Sequence, residues 1–196
     1  ARVQCVTTQP ASAPDDLGME VVAVDTAAEM AAAVFERASG ADVVVMAAAV
    51  ADFRPVDVAD RKIKKDGGVP EIRLEPTVDI LAELGRTRSG RQILVGFAAE
   101  TDDLRQNAAA KLESKGVDLI VANDVSAPEV GFEHETNAVV LLDAFNGVSE
   151  VPLCGKREVA GAVLDAVLDI HRIRDDKMND KMDDDRADRL PNGDDT

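Results

Sequence analysis

The run DVVVMAAAV, residues 42–50, decides the fold. After Asp42 every side chain is apolar, so both faces of an extended segment would need cover, which is how a central strand of a parallel sheet reads. Ahead of it TAAEMAAAVFERASG, residues 26–40, opens on Thr26 with Glu29 three positions later, a capping box, and closes on Gly40. That segment predicts a helix. Further upstream RVQCVTT and MEVVAV read as short strands around the Pro, Ser and Asp loop QPASAPDDLG. Downstream PEIRLEP, residues 70–76, alternates as an edge or hairpin strand, and DILAELGRT, residues 79–87, reads as a short helix. QILVGFAAE (92–100) and DLIVANDV (118–125) are further buried strands. Between them DDLRQNAAAKLESKG (102–116) is a polar-faced helix that stops at Gly116. AVVLLD (138–143) is one more strand, and KREVAGAVLDAVLDIHRI (156–173) a terminal helix with Val159, Val163, Val167 and Ile170 on one stripe. The alternation of strand and helix implies an α/β fold: a doubly wound, Rossmann-like, mostly parallel sheet with helices on both faces.

Composition narrows the partners. A length of 196 residues suits one domain, expected over residues 1–174. Residues 175–196 lose apolar periodicity and carry an acidic excess; they read as a disordered tail, with an amphipathic extension of the last helix as the competing reading. The net charge of -16 argues against duplex nucleic acid or an anionic membrane as partner, so any anion site must be local. Asp outnumbers Glu 25 to 13, Arg outnumbers Lys 14 to 8, and Tyr and Trp are absent, a pattern that suits a salt-adapted surface as well as an ordinary acidic one. The longest apolar run, Val43 to Ala51, is far short of the roughly 20 residues that span a bilayer, and no signal peptide is visible; a cytoplasmic location is expected. Cys5 and Cys154 lack metal-ligand spacing and read as packed thiols.

Open α/β sheets bind ligands beyond the carboxyl ends of their strands, and three loops here occupy such places: ADFRPVDVADRKIKK, AAET and ANDVSAPEVGFEHETN. Lys62, Lys64 and Lys65 follow the first. Lys111 and Lys115 lie one turn apart on the helix after the second. Five of eight lysines thus occupy two places, where flexible point charges could meet phosphate oxygens; a solvated turn and an exposed helix face balanced by Glu113 are the competing readings. Asp52 ends an apolar run, where a carboxylate caps a loop or faces a ligand. Asn123 and Asp124 hold the corresponding place in the next unit, or make an Asx-turn. His134 stands in a polar loop and His171 near a helix C-terminus; neither reads as a metal ligand. No Walker A loop, GxGxxG stretch or catalytic triad pattern is present.

Taken in order, AAAVADFRP, KIKK, TVDILAEL, VGFAAET, the two lysines four apart, ANDV and GFEHETNAVVLL resemble the phosphopantothenate-cysteine ligase (phosphopantothenoylcysteine synthetase) domain, which in bacteria and archaea usually lies behind a flavin-dependent decarboxylase. The resemblance runs from residue 1 to about residue 170. It implies a step of coenzyme A synthesis in which 4′-phosphopantothenate is activated by CTP as an acyl cytidylate and the amine of cysteine displaces CMP. It further implies Lys62 as the catalytic lysine at the nucleotide phosphates, with Asp52, Val78, Asp79, Ile80, Leu81, Phe97, Lys111 and Lys115 as further CTP contacts. Asn123, Asp124 and Asn137 would belong to a substrate loop, with Lys64 and Lys65 adjoining. Mg²⁺ would accompany the triphosphate, the protein would be a homodimer, and FMN would reside in a decarboxylase half outside this chain. Two departures stand out: Val78 replaces a common proline, and the family's glycine-rich first turn and NxSSGxxG segment are not among these residues. From this the chain is expected to be a fragment that turns over poorly. The alternatives are a non-catalytic nucleotide-binding module of the same fold and a nicotinamide-dependent reductase, against which the missing GxGxxG counts.

Overall fold

The computed structural model describes residues 1–10, 18–59, 61–64, 70–100, 102–124 and 135–187, with backbone alone at 124 and 180–187. His134 and Lys65 lie outside this set. The chain divides into two compact units, Ala1–Gln92 and Ile93–Thr196.

In the first unit β1 (Gln4–Thr7) and β2 (Glu20–Ala23) pair in parallel. Helix α1 (Ala27–Ala38) starts as its sequence dictates: the Thr26 side chain accepts from the Glu29 N–H, and the Glu29 carboxylate accepts from the N–H groups of Asp25 and Thr26. Those backbone donors lower the Glu29 pKa. At the other end of α1 the buried Gln92 donates Nε2 to the carbonyls of Ala38 and Ala41, satisfying acceptors that a helix end leaves open. Met30, Ala31 and Val34 of α1 form a small core, as do Ile80 and Leu84 of α2 (Ile80–Thr87). The strand β3 (Val43–Met46) is shorter than DVVVMAAAV suggested and is not covered on both faces: Val43 and Val45 are exposed. Two further short strands, β4 (Phe53–Pro55) and β5 (Leu74–Pro76), form an antiparallel ribbon; β4 had been assigned to a loop, because three residues carry too little alternation to be seen.

The second unit is better packed. Strands β6 (Ile93–Glu100) and β7 (Leu119–Asp124) run parallel, joined by α3 (Leu104–Lys115), and β8 (Thr136–Asp143) and β9 (Val148–Gly155) continue side by side in antiparallel pairing. The sheet is therefore mixed, with its parallel part where the crossover helix lies. Helix α3 ends at Gly116, whose φ of 59° is left-handed, as its place at the helix C-terminus requires. One face of the sheet, Ile93, Val95, Leu119, Val121, Val139 and Leu141, packs against Val159, Val163, Val167 and Ile170 of α4 (Lys156–Ala187), the stripe expected from periodicity.

Strand β9 had no expectation behind it. Its hairpin signal is the Asn146-Gly147 pair: Asn146 has φ of 70°, and a Cβ on Gly147 would lie 2.1 Å from the Asp143 carboxylate that accepts the N–H groups of Phe145 and Gly147.

Of the stretch read as a tail, residues 175–187 continue α4, which is 32 residues long, and residues 188–196 lie outside the described set. Two contacts anchor α4 as far as Lys177. Arg174 donates to the Asp118 carboxylate, which is 1% exposed, and Lys177 sits 4.4 Å from the Phe145 ring centroid. His171 accordingly lies inside the helix, with Nδ1 3.0 Å from the Asp175 carboxylate. Among the described residues no helix is long and apolar enough to cross a membrane.

Two measurements check this account. Asp118→Ala leaves the Arg174 guanidinium without its buried partner and is expected to cost about 3–5 kcal/mol in urea unfolding. For Glu29 the folded pKa lies below the unfolded one, so its contribution is present above the ordinary carboxylate range and is lost as pH falls through the folded value. The stability difference between wild type and Glu29→Gln should therefore be full near neutral pH and shrink below about pH 4.

Candidate nucleotide site

Carboxyl ends of parallel strands attract ligands because the backbone there diverges and the connecting loops open a crevice. In the second unit that end carries Glu100 at the last position of β6, paired in register with Asp124, while Ala99 pairs with Asn123. Antiparallel β8 brings its first residues to the same end: Val139 pairs with Asn123, and an irregularity in register separates Val139 from Asn137. Asn123 and Asn137 are both half-buried, and Asn137 turns its Oδ1 to the Ala138 N–H at 3.0 Å. Phe97 continues the row of Ile93 and Val95 but is 38% exposed, past the edge of that core, which leaves its ring available as a stacking surface.

Lys111 does not balance Glu113. Two residues apart, those side chains do not share a helix face. Lys111 instead reaches back to the strand end, its Nζ 2.6 Å from Glu100 Oε1, and Asn107, one turn earlier on α3, donates to Glu100 Oε2 at 3.1 Å and to the Asp102 carbonyl at 2.9 Å. Lys115 is half-buried. Glu100 and Asn107 were not singled out beforehand. The signal was present, since Glu100 closes an apolar run as Asp52 does, and Asn107, Lys111 and Lys115 follow one another at helical spacing.

The remaining candidates fall in the first unit. Asp52 is exposed, and its carbonyl accepts the Thr77 N–H at 2.9 Å, while the Thr77 hydroxyl donates to the Ala51 carbonyl. These bonds bring the Asp52 turn and the TVDI segment together. Val78 is exposed, whereas Ile80 is 3% exposed and belongs to the core, so its side chain is not a ligand contact and its backbone alone could be one. Leu81 is half-buried. Asp79 is the N-cap of α2, accepting the Ala82 N–H at 3.0 Å. Lys62 and Lys64 are exposed in the long connection from β4 to β5. Among the described residues no group of three His, Cys, Asp or Glu side chains could hold a metal ion. Cys5 and Cys154 are free thiols, one in each unit.

A family model for the DNA/pantothenate metabolism flavoprotein C-terminal domain matches residues 1–170. The chain belongs to this family. Among its relatives are the coenzyme A biosynthesis bifunctional protein CoaBC of Bacillus subtilis, 44% identical over 148 residues, which cover 76% of this chain and 36% of that protein. A cysteine/cysteine sulfinic acid decarboxylase from an unknown prokaryotic organism is 43% identical over 155 residues, 79% of this chain and 43% of that one. This family domain thus spans less than half the length of either relative. Among solved structures the C-terminal domain of a CoaBC protein superposes with a TM-score of 0.66 at 35% identity, over 84% of this chain and 71% of that one. The Streptococcus pneumoniae DNA/pantothenate metabolism flavoprotein reaches 0.68 at 20% identity over 87% and 80%, a likeness of fold.

Asp79 separates capping from ligand contact. Asp79→Ala should cost about 1 kcal/mol of stability on thermal unfolding, and Asp79→Asn, which keeps a capping oxygen, should restore most of it.

Proposed function

We propose that this domain carries out the ligase step of coenzyme A synthesis, joining 4′-phosphopantothenate to cysteine at the expense of CTP. The reading is carried by its likeness to the C-terminal domain of CoaBC, 35% identical over 84% of this chain. In this chemistry the substrate carboxylate attacks the α-phosphorus and pyrophosphate leaves. The cysteine amine then attacks the acyl carbon, forming the amide, and CMP departs while the amine proton passes to solvent. Such steps need positioned anions and neutralised charge more than acid or base groups. Lys62 is assigned the catalytic place at the phosphates, with Lys111 and Lys115 as further cations and Phe97 as a surface for the base. Asp52, Val78 and the backbone of residues 79–81 line the nucleotide in this reading, and Asn123, Asp124 and Asn137 hold phosphopantothenate.

Mg²⁺ would arrive with the triphosphate and supply neutralising charge, and the exposed Asp52 carboxylate would be the group to meet it through water. The names of the relatives, one bifunctional and one a decarboxylase, support fusion to or association with a decarboxylase; FMN in that half and a cytoplasmic location are carried by the family resemblance alone. A homodimer belongs to the same reading. The β4–β5 ribbon exposes Phe53 and Leu74 on one face, more apolar surface than two short strands keep in water unaided. The acidic excess suits a salt-rich medium.

Calorimetry with CTP and Mg²⁺ tests the assignment. Wild type should bind, ATP should compete weakly, and Lys62→Ala should weaken CTP binding about tenfold or more, the cost of one charge-assisted phosphate contact. Absence of binding to either nucleotide would count against both the ligase and a nucleotide-binding module, and would leave a remnant of the fold.

A further inference from the structure

Building on the nucleotide reading, we propose that Glu100 is a positioning residue that holds Lys111 ready for the nucleotide phosphates. The carboxylate lies inward and the ammonium outward: the Glu100 side chain is 11% exposed and that of Lys111 41%. Both carboxylate oxygens are engaged, Oε1 by Lys111 at 2.6 Å and Oε2 by Asn107 at 3.1 Å, and Asn107 is itself tied to the Asp102 carbonyl at 2.9 Å. Strand end, turn and helix together leave Glu100 one orientation. Other pairs between elements, such as Arg54–Glu75 and Arg105–Glu150, join two exposed side chains, whereas here the carboxylate is enclosed. This pair spans 11 residues, from the first turns of α3 to the end of β6 where ligands enter such sheets.

The chemistry follows from the donor count. A lysine ammonium has three N–H donors, and one is spent on Glu100, so two remain for phosphate oxygens. A free lysine loses rotamer entropy when it is fixed, and the tether removes that freedom before the ligand arrives. A carboxylate this near an anion site also repels the triphosphate. Coulomb's law alone therefore says that neutralising Glu100 tightens binding, whereas positioning says that it weakens binding.

The experiment sets these against each other with the full chain at one fixed salt concentration. Glu100→Gln should weaken CTP·Mg²⁺ binding about three- to thirtyfold, and the same substitution in a Lys111→Ala background should leave affinity unchanged or tighter, because the effect passes through Lys111. Asn107→Ala, which loosens the carboxylate without altering any charge, should weaken binding in the same direction and serves should Glu100→Gln fail to fold. A second readout needs no nucleotide: under acetylation by an N-hydroxysuccinimide ester, read by mass spectrometry, Lys111 should react several-fold more slowly than Lys62, and Glu100→Gln or Asn107→Ala should remove that protection. Unchanged or tighter CTP binding in these variants, or a Lys111 as reactive as Lys62, overturns the positioning role while leaving the nucleotide reading intact. A protected Lys111 in a wild-type chain that binds no CTP overturns the nucleotide reading, and the assigned role with it.

Discussion

One buried carboxylate organises the second unit. Asp118 stands at the entrance to β7, almost fully enclosed, and its side chain accepts the Leu94 N–H at 2.8 Å and the guanidinium of Arg174. Its own N–H goes to the Leu94 carbonyl and its carbonyl receives the Ala144 N–H. A single residue thereby joins the start of β6, the start of β7, the turn after β8 and the last helix. A carboxylate in so dry a place is tolerated only with a cation and full hydrogen bonding, so the helix bearing Arg174 has to reach that point.

The far end of the same strands is free of that demand. The apolar stripe of α4 from Val159 to Ile170 covers Ile93, Val95, Leu119 and Val121, and the row stops short of Phe97. What gathers at the carboxyl ends is polar: Glu100 with its lysine and asparagine, Asn123 and Asn137. The division within each strand is that of open α/β sheets, packing along its length and polar groups at its exit. Glu100 and Asp118 are two enclosed carboxylates at opposite ends of the parallel pair, each held to a helix by a cation.

Much of this was legible in the sequence where a local cause sufficed. Thr26 and Glu29 announced their helix because a capping box involves only neighbours, and Gly116 announced the end of another because a left-handed residue favours glycine. The helical stripe of α4 was equally plain. Strand β9 escaped because Pro152 and Glu150 break its pattern, and its pairing comes from the Asn146-Gly147 turn and from β8. The acidic stretch after Arg174 read as tail because composition counts charges without seeing Phe145 beneath Lys177. Val43 and Val45 misled in the opposite sense: apolar on both faces in sequence, they are exposed in the structure.

For the candidate site, the sequence by itself determined which residue types are available: lysines in two clusters, carboxylates after apolar runs and amides at strand ends, in an order that carries a family likeness. It also set the carboxylates and amides after apolar runs, since helix and strand periods are local properties of the chain. Only the tertiary structure decided that Ile80 serves the core, that Asp79 caps a helix, and that Lys111 faces Glu100. The reason is physical. Charge pairing acts through space over a few ångströms, and residues 100 and 111 meet only after a strand and a helix have packed together.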